Sequence, residues 1–125
     1  MKLESPVGPM DWEENSGGIT AKGRLPLVAE YFQDHFPLFP VLPGVLALEI
    51  FKRITEDFLS RKKEKNGNWR FSQMSGVRFS SYLRPGDEWE CRLEPLGQEI
   101  EPVCWRANLS CRGRIAAQAR FTLTL

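Results

Sequence analysis

The sequence predicts an α+β domain in which an antiparallel sheet curls around one long, buried helix. Three observations predict it. From Val45 to about Lys63 nothing breaks a helix, and Ala47, Ile50, Ile54 and Phe58 recur at helical spacing. The first half of that segment is apolar nearly all round, the mark of a helix buried rather than laid on a surface. Beyond Asn66-Gly67-Asn68 the chain changes to a period of two, with Trp89, Cys91 and Leu93 alternating with Glu90, Arg92 and Glu94. Turn signals at Pro85-Gly86-Asp87 and Arg112-Gly113 separate these runs, as antiparallel neighbours require.

Taken in order, residues 1–16 read as an irregular lead-in, polar and rich in acid around Asp11-Trp12-Glu13-Glu14, with Trp12 available to pack on the body. The domain proper is expected over residues 17–125. Gly17-Gly18 punctuates, and Ile19, Ala21, Gly23 and Leu25 then alternate as a strand. Leu27 to Phe32 can form one helical turn. The long helix follows, and its Arg61-Lys62-Lys63 end complements the helix dipole. Two strands are expected at Trp69–Gln73 and Val77–Leu83, divided by a Ser75-Gly76 break. Val103, Trp105, Ala107, Leu109 and Cys111 alternate with polar residues, and the stretch from Ile115 to Leu125 does so again.

Composition bounds the function. A chain of 125 residues makes one domain, and 42% hydrophobic with 26% charged residues is ordinary for a globular protein. The net charge of +1 excludes a global attraction to nucleic acid or to anionic membranes, so any basic docking patch must be local. Cys91, Cys104 and Cys111 lack a CxxC spacing, and the chain holds a single histidine. Free thiols in a reducing cytoplasm are expected, rather than disulfides or a metal site. No apolar run approaches the ~18 residues that a membrane span needs, and the N-terminus lacks the apolar core of a signal peptide.

The most informative stretch runs from Tyr31 to Glu49. His35, the only histidine, lies in a loop stiffened by Pro37, Pro40 and Pro43. Pro43-Gly44 opens the helix, where glycine lets a ligand approach the backbone closely. Glu49 sits on the second turn. A histidine and a carboxylate in apolar surroundings are candidates for an acid/base pair, although each taken singly is as well read as an ordinary half-buried polar group.

The pattern His-Phe-Pro-x-x-Pro-Val-x-Pro-Gly-Val-Leu-x-x-Glu over residues 35–49 resembles the 3-hydroxyacyl-[acyl-carrier-protein] dehydratases of fatty acid synthesis. The likeness extends to Val77-x-Phe79 followed by Pro85-Gly86-Asp87, and to the closing Gly113-x-Ile115-Ala116-Ala117-Gln118-Ala119. Several positions differ from the family's usual pattern. Leu38 stands where glycine follows His-Phe-Pro, Ser80 and Ser81 stand where the family has basic residues, and its N-terminal His-Arg-Tyr-Pro-Phe segment has no counterpart. Asp34 stands where glycine precedes the histidine, and Arg53 stands where glutamine commonly follows the glutamate.

The resemblance implies a hot-dog fold and the removal of water from a 3-hydroxyacyl thioester carried on acyl carrier protein, without a cofactor or metal. It implies His35 as the base at C2, Glu49 as the acid for the C3 hydroxyl, and the Gly44 N–H as donor to the thioester oxygen. Phe36, Pro37 and Val45 would line the substrate site. It further implies a homodimer in which His35 and Glu49 of opposite subunits meet. Acyl carrier proteins are acidic, and Arg78, Arg84, Lys52 and Arg53 are the candidate docking cations. Two other readings stay open: a non-catalytic acyl-thioester-binding subunit that pairs with a sister dehydratase, and a hot-dog thioesterase.

Overall fold

The computed structural model describes residues 1–15, 17–34, 40–62, 70–96 and 103–124. Seven strands form one antiparallel sheet around a 19-residue helix. In chain order the elements are β1 (Lys2–Leu3), β2 (Met10–Asn15), β3 (Gly18–Arg24), α1 (Glu30–Asp34), α2 (Gly44–Lys62), β4 (Arg70–Phe79), β5 (Glu88–Leu96), β6 (Val103–Cys111) and β7 (Arg114–Thr124). The strand order is β1-β2-β3-β5-β6-β7-β4, so β4, the first strand after the long helix, forms one open edge.

The α+β class and the wrapped helix match the sequence expectation. Helix α2 buries Ala47, Ile50, Phe51, Ile54 and Phe58, a stripe at helical spacing. Against them stand the inward residues of the strands, among them Ile19, Ala21, Trp89, Leu93, Ala107, Leu109 and Phe121. Phe58 takes two tryptophans edge-on, Trp12 at 5.9 Å and Trp105 at 5.8 Å between ring centroids. Such geometry adds about 0.5–1.5 kcal/mol per pair beyond simple burial. Thr55, a fully buried polar residue of the helix, donates its hydroxyl to the Phe51 carbonyl at 2.8 Å, so its own hydroxyl is paired.

The first fifteen residues correct the expectation of an irregular lead-in. Strand β2 pairs along its length with β3, from Met10↔Gly23 to Asn15↔Gly18. Met10 and Trp12 face the core while Asp11 and Glu13 face outward, so the acidic run is the outer side of a strand. The Ser75-Gly76 break also resolves differently. Strand β4 runs through it, with a register shift between Ser75 and Arg78 and Gly76 at φ +60°, a β-bulge that bends the edge strand. Among the described residues, no helix is long and apolar enough to cross a membrane.

Candidate active site

The site is built on the first turn of α2. Pro43 precedes the helix, and its carbonyl accepts the N–H groups of Leu46 at 3.0 Å and Ala47 at 3.4 Å. The Gly44 N–H is among the first-turn donors that a helix leaves without an internal acceptor. Phe79, the last residue of β4, lays its ring on Gly44: a Cβ built there would meet Phe79 Cζ at 2.8 Å. Gly44 is therefore the residue that admits this contact. Around the pair opens a cavity of about 360 Å³, walled by Leu42, Val45, Leu48, Tyr82 and Ala116. Its lining is mainly apolar, suited to a short acyl group.

Glu49 lies on the next turn and is half-buried. It shares a side of α2 with the exposed Val45, Lys52 and Glu56, whereas its neighbour Ile50 turns into the sheet. Among the described residues no side chain is bonded to its carboxylate. Arg53, one turn on, does not turn back to pair with it. The Arg53 Nη2 donates instead to the Glu4 carbonyl at 2.8 Å, and its Nε is buried without a partner. His35, Phe36 and Pro37 lie outside the described residues. The structure thus brings Gly44 and Val45 together at one cavity and sets Glu49 on the same helix.

The expected docking cations are distributed over several elements. Among the described residues Lys52 pairs with Glu56, at 3.9 Å, and Arg53 is held by the N-terminal segment. Arg78 is exposed on the edge strand, and Arg84 is exposed just before the turn into β5. Sequence reasoning missed Phe79 and Tyr82 as cavity walls, and it missed the pair that joins two turns. Asp87, buried to 8% exposure, accepts the Arg84 backbone N–H at 2.8 Å on Oδ2 and Arg112 Nη2 at 2.8 Å on Oδ1. The Pro-Gly-Asp sequence carried a signal for the first of these bonds, since aspartate after a turn commonly closes onto nearby backbone. It carried none for the second.

Three comparisons bear on this geometry. The family model for the ApeI dehydratase, ApeI-like, matches residues 11–119. A 3-hydroxyacyl-[acyl-carrier-protein] dehydratase FabZ of Janthinobacterium sp. (strain Marseille) is 30% identical over 120 residues, covering 93% of this chain and 76% of its own. Its counterpart from Lactococcus lactis subsp. cremoris (strain SK11) is 29% identical over 108 residues, covering 86% and 75%. Among solved structures, the dehydratase heterocomplex ApeI:P of Xenorhabdus doucetiae aligns over 100% of this chain and 97% of its own, with a TM-score of 0.61 and 20% identity. A hypothetical thioesterase of Streptococcus pneumoniae TIGR4, solved with coenzyme A, aligns over 91% and 86% with a TM-score of 0.69 and 13% identity. At such identities the structural likenesses establish the hot-dog fold, and the sequence matches decide the family. The chain belongs to the ApeI-like dehydratase family.

Proposed function

We propose that this protein removes water from a 3-hydroxyacyl thioester carried on acyl carrier protein and leaves the trans-2-enoyl thioester. The observation that carries this reading is the placement of an apolar cavity at the N-terminus of α2, with Gly44 facing it and Glu49 one turn further along the same rigid helix. The thioester oxygen would lie at the Gly44 N–H, where the helix dipole favours developing negative charge; one such donor is worth about 10²–10³ in rate. His35 then takes a proton from C2, and the C3–O bond breaks. Glu49 gives its proton to the departing hydroxyl, which leaves as water. No electron is transferred, so the step needs no redox carrier.

The complete site is proposed to form between two copies of this chain. Strand β4 is an open sheet edge, and Val77, Phe79, Ile115 and, on the helix, Val45 are exposed apolar residues. A second copy across this edge would cover them and set Glu49 of one subunit against His35 of the other. Three free cysteines agree with a cytoplasmic setting.

Incubation with a 3-hydroxybutyryl thioester of carrier protein, followed by the absorbance of the conjugated enoyl thioester, tests the proposal. Enoyl formation is expected. Release of free thiol without it makes the protein a thioesterase, and binding without turnover makes it a non-catalytic subunit.

A further inference from the structure

A second cavity, of about 420 Å³, opens beside the first and shares Ser81 and Tyr82 with it. Its remaining walls are Asp87, Cys111, Arg112 and Arg114. We infer that this cavity is a phosphate-binding site, which takes the phosphate of a phosphopantetheine arm whose thioester end lies at Gly44. The inference rests on the proposed function for the identity of the arm.

Five observations point to a phosphate. Among the described residues, Arg112 is the one non-glycine residue with positive φ, at +54°, followed by Gly113 at +74°. That geometry belongs to a tight hairpin turn in which asparagine or glycine is the usual occupant. An arginine there costs roughly 1–2 kcal/mol in backbone strain, and such strain concentrates at functional positions. The Arg112 guanidinium is also anchored by the buried Asp87 carboxylate, which uses one of its five N–H donors. The side chain is otherwise 72% exposed, so the remaining donors are open to a ligand.

The charge balance favours an anion, because two arginines against one carboxylate leave one positive charge in the lining. Burial, and then the neighbouring Asp87 carboxylate, push the Cys111 thiol up, so it adds no second anion at neutral pH. The donor set suits a tetrahedral group: two guanidinium groups and two hydroxyls, from Ser81 and Tyr82. Last, the two cavities adjoin, one lined by charged and hydroxyl-bearing side chains and one mainly apolar, in the order that a phosphorylated pantetheine thioester presents its own groups.

Calorimetric titration with 4′-phosphopantetheine and with pantetheine tests the site without any turnover. The wild-type protein is expected to prefer the phosphorylated form by at least about tenfold, the scale of one charge-assisted hydrogen bond. Arg112→Gln is expected to remove that preference. Because it also strands the buried Asp87, Arg114→Gln serves as the second variant; among the described residues Arg114 has no carboxylate partner. Titrations of wild type and Arg114→Gln with coenzyme A and with phosphopantetheinylated carrier protein distinguish the two sources of the arm: the source that the site serves loses affinity on the substitution, and no loss with either overturns the inference. Equal affinity for the two pantetheines overturns it, as does a preference that survives both substitutions. A protein that keeps the preference yet forms no enoyl product retains this site and loses the dehydration reading.

Discussion

The ring of Phe79 rests on Gly44 so closely that a methyl group at position 44 would lie 2.8 Å from Phe79 Cζ and 3.1 Å from each Cε. The contact joins the edge strand to the start of the central helix at the cavity. Gly44→Ala gains at most about 1 kcal/mol of helix propensity, whereas overpacking at such a contact costs about 1–3 kcal/mol. The overlap should win, so the variant is expected to melt at a lower temperature and to turn over more slowly. Phe79→Leu in the same chain should restore part of the stability. Losses that simply add in the double variant would show that the two residues are not coupled.

Glu49 has no bonded partner among the described residues and faces the outer side of α2, which suits a group that works with a residue from another subunit. His35→Ala and Glu49→Gln should each reduce turnover below a tenth of wild type, with unchanged circular dichroism. Mixed in equal amounts and allowed to exchange, the two dead variants should recover roughly a quarter of the activity. Half of the dimers are then mixed, and each of these holds one site with both groups intact. If light scattering finds an active monomer, or the mixture stays silent after exchange, the shared site is wrong.

Much of this fold was legible. Helix α2 begins within a residue of its expected start and continues to Lys62, the last described residue of this stretch, because a buried helix opened by Pro43 has few alternatives. Strands β5, β6 and β7 were legible for a related reason, since one face is buried and the other solvated. Strands β1 and β2 were hidden because an acidic run with only Met10 and Trp12 facing inward is too short for periodicity to register. Gly76 marked a bulge within a strand, and the same glycine signal serves a break equally well. In the site, Gly44 and Glu49 came from one contiguous motif. Contacts such as Phe79 on Gly44 or Arg112 on Asp87 join residues far apart in the chain, which local pattern does not encode.

The N-terminal strands should contribute measurably to stability. Trp12 Nε1 donates to Asp57 Oδ2 at 2.8 Å, while Arg61 Nε donates to the same oxygen at 3.1 Å. Trp12→Phe keeps an aromatic ring against Phe58 but loses the bond and part of the buried indole, an expected cost of about 1–3 kcal/mol in chemical denaturation. Trp12→Ala removes the ring as well and should cost about 3–5 kcal/mol. Nearly equal effects of the two substitutions would mean that Trp12 contributes little by packing.

Docking of an acidic carrier protein is the remaining question, since a net charge of +1 gives no global attraction. Of the four cations expected to serve, Arg53 donates to the Glu4 carbonyl and Lys52 stands beside Glu56, while Arg78 and Arg84 bracket the 79–83 segment that lines the cavity and are placed for docking by that position. Both are exposed, one just before Phe79 and the other just after Leu83. Arg78→Glu with Arg84→Glu should therefore raise KM for a carrier-linked thioester. Exposed charges act through solvent, so in the wild type the carrier's advantage should fall steeply as salt shortens the screening length from about 10 Å at 0.1 M. The reversed variant should lose that salt dependence. The informative comparison is a carrier-free thioester such as an N-acetylcysteamine derivative, which has no acidic surface to attract. If KM rises equally for both substrates, the two arginines act on the cavity or the fold, and a carrier-docking role for them is excluded.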